Sequence, residues 1–196
     1  MAKKIKKKKK SKSSRSKSNF ATIDLRKLRK PLLSFLQKSC EDFAAEHPQS
    51  EIVTVALCPY PYGCDGEGEA GICFNEAEQV AAWEKDHPDW LEHDEHGPYN
   101  DSPDDYTHAF CSTFFFKPML DLYDKDGAIE FYDLDSDDLQ VVEWDGADEV
   151  FNELIFPAVC KVMEESKAWS TLKKADTFRI GVIMHGSQFK RLWVAS

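Results

Sequence analysis

The clearest pattern in the chain comes last. Phe178, Ile180, Val182 and Met184 alternate with Arg179, Gly181, Ile183 and His185. Gly186-Ser187-Gln188 then turns the chain, and Phe189, Arg191 and Trp193 begin a second run against Lys190, Leu192 and Val194. A period of two, β-branched and aromatic residues and a glycine turn predict a hairpin. Because the first run is apolar on both sides, it is expected at an interior position of a sheet.

Two segments repeat at three- and four-residue steps instead. Leu25, Leu28, Leu32, Phe35, Leu36, Cys40 and Phe43 predict a helix ending near Glu46, with His47-Pro48 closing it. Pro31 fits only the first turn of a Leu32–Glu46 helix, after a separate short turn. Val150, Phe151, Leu154, Ile155, Ala158, Val159, Val162 and Met163 form the broadest apolar stripe, running to about Ser166 and kinked locally at Pro157. Asn75 and Glu78 have capping-box spacing for a shorter helix through Trp83 and Lys85, stopped by His87-Pro88.

Between these lie strand-like runs. Glu51–Cys58 and Ala70–Phe74 read as partners across the breaker-rich Pro59–Gly68 loop. Leu120–Tyr123 and Ala128–Leu134 flank Asp124-Lys125-Asp126-Gly127, a hairpin signal, and Leu139–Trp144 would continue the sheet. Phe110, Phe114, Phe115 and Phe116 follow no settled period. The expected fold is one α+β domain over residues 19–196, a mainly antiparallel sheet packed by two or three amphipathic helices. Residues 1–18 are expected to be a disordered basic tail.

Charge sharpens that division. The first eighteen residues hold ten Lys or Arg and no acid, leaving fifteen bases against thirty-five acids and a net charge of −20 on the rest. A body this acidic repels phosphates, so contact with nucleic acid or an anionic membrane surface would have to come from the tail. The tail could equally fold back on the acidic body. No apolar run follows the basic start as in a secretory signal, and none is long enough to span a bilayer. The six cysteines (Cys40, Cys58, Cys64, Cys73, Cys111 and Cys160) are therefore read as reduced thiols of a cytoplasmic protein.

Candidate chemistry is sparse. The 87–108 segment gathers His87, His93, His96 and His108 with Glu92, Asp94 and Glu95, side chains suited to a transition metal. It reads better as a solvated loop, since ligands need rigid supports. Cys58, Cys64 and Cys73 are spaced too widely for paired zinc ligands. Leu122–Asp133 imitates a calcium loop but begins with a leucine and ends in Asp133 rather than a glutamate. His185 stands alone, and no nucleophile elbow or phosphate-binding glycine loop is present. The reading assigns no catalytic residue, no cofactor and no metal ligand.

The order of elements resembles the bacterial domain-of-unknown-function family numbered 4303. The matching pieces are Ile52–Leu57, Phe74-Asn75-Glu76-Ala77-Glu78, the Glu149–Glu165 helix and Phe178–Val194, together spanning roughly Leu32 to Ser196. The resemblance implies a small accessory or immunity-type protein with no catalytic residues to carry over. The expected function is non-enzymatic binding of a protein partner with a basic surface. The alternatives are a metal- or cysteine-dependent enzyme using the 87–108 loop, and a nucleic-acid-associated protein acting through the tail. Deleting residues 1–18 is expected to abolish salt-dependent retention on a DNA column; unchanged retention would remove the tail from consideration.

Overall fold

A computed structural model describes residues 21–60, 69–86, 88, 106–115, 127–144, 150–183 and 190–194. Strand β1 (Ala21–Asp24) leads through a 3-10 turn into helix α1 (Arg29–Glu46). Strands β2 (Ile52–Tyr60) and β3 (Glu69–Glu76) precede helix α2 (Ala77–Asp86). Strands β4 (His108–Phe115), β5 (Gly127–Tyr132) and β6 (Leu139–Trp144) follow. A π-helical turn (Phe151–Ile155) runs into helix α3 (Phe156–Glu165), and strands β7 (Lys174–Ile183) and β8 (Lys190–Val194) close the described chain.

The fold is α+β. Antiparallel pairing dominates, as expected, but the described strands form two sheets. One has the order β1-β5-β6 and the other β4-β3-β2-β7-β8. Each contains one parallel pair, β1 with β5 and β2 with β7. The division into two follows from β5: over Ile129–Tyr132 its two edges are taken by β1 and β6. The Leu120–Tyr123 arm of the expected hairpin lies outside the described residues. The closing hairpin is present, with β7 interior between β2 and β8.

Helix α1 forms where the three-four spacing required it, and Pro31 occupies its first turn, where a missing N–H costs nothing. Its buried face is Leu32, Leu36, Ser39, Cys40 and Phe43. Helix α3 presents Ala158, Val159, Cys160, Val162 and Met163. Pro157 cannot donate to the carbonyl four residues back and crowds it, and the turn just before it is π-helical rather than α-helical.

Both helices bury these faces in one continuous core with Val55, Leu57, Ile72, Phe74, Phe178, Ile180 and Val182 of the five-stranded sheet and Ile129 and Phe131 of the smaller one. The opposite face of the large sheet carries a second cluster of Ala56, Cys58, Cys73, Tyr106 and Ile183, with Phe110 packed against it. Successive residues of β2 and β3 thus alternate between two apolar environments, and the strands read as unbroken apolar runs.

Ion pairs tie the small sheet to the helices. Arg29 bonds Asp135 at 2.6 Å and Glu165 at 3.0 Å, and Lys161 also reaches Asp135. Arg26 bonds Asp24 and Asp137, each at 2.7 Å, and lies 3.9 Å above the Tyr132 ring. Such solvent-facing pairs fix geometry more than they add stability.

Two outcomes are expected. Leu36→Ala, at a fully buried position, is expected to cost about 2–5 kcal/mol in denaturant unfolding; a loss under ~1 kcal/mol would contradict its place in the core. The Arg26 hydrogen bond holds the Asp24 carboxyl below the ordinary aspartate value of 3.8, and the Lys161 and Arg29 bonds do the same for Asp135. Their contribution is present above that value and lost as pH falls through the depressed ones, so stability should decline on acidification below the ordinary range. Asp135→Asn is expected to make that decline shallower.

Candidate functional site

Three chain segments far apart in sequence end at one place on the rim of the large sheet. His47 caps the C-terminus of α1, its N–H donating to the Phe43 carbonyl at 2.8 Å. Glu76 is the last residue of β3 and His108 the first of β4. The register sets Phe74 opposite His108, which brings the imidazole beside the end of β3. Among the described residues, His47, Glu76 and His108 are the group whose potential ligand atoms all lie within 4.8 Å of one another.

The arrangement is held from several sides. His108 Nε2 is 2.7 Å from Glu76 Oε1, and the Ser50 hydroxyl donates to the same oxygen at 2.6 Å. The Phe43 ring stacks on His47 (4.7 Å, 28°), stacks on Phe74 (4.0 Å, 15°) and meets His108 edge-on (5.0 Å, 79°). The two imidazoles are 4.4 Å apart between centroids. His108 and Glu76 keep about a fifth of their side-chain surface exposed, 21% and 18%. The site is walled by aromatic carbon on the helix side yet remains open to solvent.

Burial by itself would raise the Glu76 carboxyl. The hydrogen bonds from Ser50 and His108, with the charges of His108 and His47, outweigh it and hold the group below the ordinary glutamate range. Glu76 is thus an anion facing two imidazoles.

A second polar group fixes the backbone beside it. Asn75, 1% exposed, accepts from the Thr107 backbone N–H at 3.4 Å and from its hydroxyl at 3.0 Å. The Thr107 hydroxyl in turn accepts from the Glu76 N–H at 3.3 Å. Asn75 therefore belongs to β3 and bonds across to the approach to β4. That corrects the capping-box expectation: α2 begins at Ala77, while Asn75 lies within β3 and its side-chain oxygen is taken up by Thr107.

Of the metal-suited residues in the 87–108 segment, His108 alone falls in the described chain and in this group. His87, Glu92, His93, Asp94, Glu95 and His96 lie outside the described residues, as do Cys64 and His185. Cys58 and Cys73 are fully buried, with their sulfurs 3.7 Å apart on the sheet face opposite the Val55–Phe74 core.

Sequence reading missed His47, taken as a helix stop, and Glu76, taken as part of a helix start. Both were noticed for what they terminate. Nothing local joins residues 47, 76 and 108; the joining is done by sheet register. Their one shared signal is that each sits at the end of an element, where side chains meet solvent.

A scan of family models finds none that matches the chain, and searches of curated proteins and of solved structures find no match either.

Asn75→Ala would leave the Thr107 N–H and hydroxyl without their buried acceptor. It is expected to cost about 1–3 kcal/mol in urea or guanidinium unfolding; a neutral result would mean that water replaces the amide.

Proposed function

We propose that the chain is a binding domain for a divalent transition-metal ion, held by His47, Glu76 and His108. The observation that supports this reading is the convergence of two imidazoles and an anionic carboxylate from three separate elements. Atoms bound tetrahedrally at about 2.1 Å from an ion lie roughly 3.4 Å apart, so a group already within 4.8 Å needs only small side-chain rotations to close.

Two nitrogens and one carboxylate suit zinc or ferrous iron, and suit calcium or magnesium poorly. Ser50 fixes the carboxylate and Phe43 fixes both rings, the kind of support that orients metal ligands. Three protein ligands leave at least one position for water or another small ligand, which is the pattern of sites that act on substrates. The reading moves the metal-dependent alternative from the 87–108 loop to the sheet rim.

A second reading keeps the domain non-enzymatic and cytoplasmic. The net charge of −20 outside the tail supports capture of a basic protein, in the manner of an immunity protein, with charge speeding encounter. Salt-independent pull-down of partners would count against it.

For the metal, the test is titration of the purified full chain with Co(II) and Zn(II), with elemental analysis beforehand. One ion per chain is expected. His47→Ala, Glu76→Gln and His108→Ala should each weaken binding by more than about 100-fold, beyond the usual effect of a residue that only supports a ligand. His93→Ala should leave it unchanged. Equal binding by all four variants would overturn the site.

A further inference from the structure

Strand β4 does not pair evenly with β3. Ile72 faces Ser112 and Phe74 faces His108, so one residue of β3, Cys73, is opposed by three of β4, Ala109, Phe110 and Cys111. The two extra residues form a bulge. Ser112 bonds Ser39 of α1 at 2.7 Å, Phe114 packs on Phe35 of α1, and His108 meets Phe43 of α1. These three share the helix-covered face. Phe110, which simple alternation would place with them, packs on the other face with Ala56, Cys58, Cys73, Tyr106 and Ile183.

The reversal is made at one backbone torsion. Phe110 has φ 51°, and among the described non-glycine residues it is the one with positive φ. That conformation is unfavourable for a bulky side chain and persists only where its surroundings enforce it. Here the ring lies directly over Gly71: a Cβ on that glycine would come within 2.2 Å of Phe110 Cδ1. The Phe110 N–H points to Cys73 Sγ at 3.2 Å. A side chain at position 71 would evict the ring that anchors the bulge.

We propose that Phe110, seated over Gly71, is a positioning residue for the metal site: the bulge it anchors sets the register that presents His108 to Glu76 and His47. This rests on the metal reading above. Without the two extra residues, continued pairing from Ser112 would bring Phe110 opposite Phe74, and His108 would fall opposite Glu76, two residues further along β3 and away from the Phe43 ring that it meets when it stands opposite Phe74. Bulges commonly re-aim a side chain in this way near functional sites.

The test compares Co(II) binding and the visible absorption of the Co(II)-loaded full chain in four proteins. These are the wild type, Phe110→Ala, Gly71→Ala and Leu36→Ala. The last removes core volume while leaving both Phe110 and Gly71 intact, and controls for loss of stability alone. Phe110→Ala and Gly71→Ala are expected to bind about 10–100-fold more weakly, the range for residues that orient ligands. Their absorption bands should also change, reporting an altered ligand set. Leu36→Ala should retain wild-type affinity and spectrum while folded. Should Gly71→Ala fail to fold, Phe110→Ala carries the test, because it removes atoms and introduces no clash. Wild-type affinity and spectrum in Phe110→Ala would overturn the positioning role while leaving the metal site standing. Failure of the wild type to bind Co(II) would remove both.

Discussion

The structure depends on a strand that water cannot reach. Val55, Ala56, Leu57 and Cys58 of β2 are fully buried, with α1 and α3 over one face and the smaller apolar cluster on the other. Every backbone donor and acceptor of such a strand must find a partner within the protein. β3 meets that demand on one edge and β7 on the other. On the face it shares with β2, α1 packs on β3 and β4 through Phe35, Ser39 and Phe43, and its C-terminal end comes down where β3 ends and β4 begins. The rim site is a geometric by-product of covering the sheet.

Its chemistry follows from that location. At the margin of a helix-covered sheet a carboxylate is only partly desolvated, and the Ser50 and His108 hydrogen bonds hold Glu76 as an anion against that burial. Phe43 does two things with one ring. It fills core volume against Phe74 and fixes the planes of both imidazoles. Core packing and site geometry are therefore coupled through a single side chain.

Much of the architecture was legible from periodicity. The three-four spacing of α1 and α3, the presence of β3 and the interior position of β7 all follow from which residues must leave water. Pairing was not legible in the same way. Nothing in Ile52–Tyr60 says that its second neighbour is β7, because an unbroken apolar run fits either edge of several strands. Asn75 misled for a related reason: a short polar side chain before Glu78 has the spacing of a cap, and only the Thr107 contact decides otherwise. Phe110 frustrated any period around 106–115 because the bulge sends it to the opposite face from His108 and Ser112. The His47, Glu76 and His108 group was hidden for the same reason, since its members meet only through register.

The pairing of β2 with β7 also bears on how the chain reaches this state. Thr54 hydrogen-bonds alongside Arg179, so the middle of the sheet joins an early segment to one of the last. Without β7, the edge of β2 that pairs with it would present unpaired backbone donors and acceptors. Non-local closure of this kind slows folding, because chain entropy must be surrendered before the contacts repay it. An edge left open in that way is a template for pairing with other chains, which makes the β2–β7 union the step that protects this sheet from misassembly.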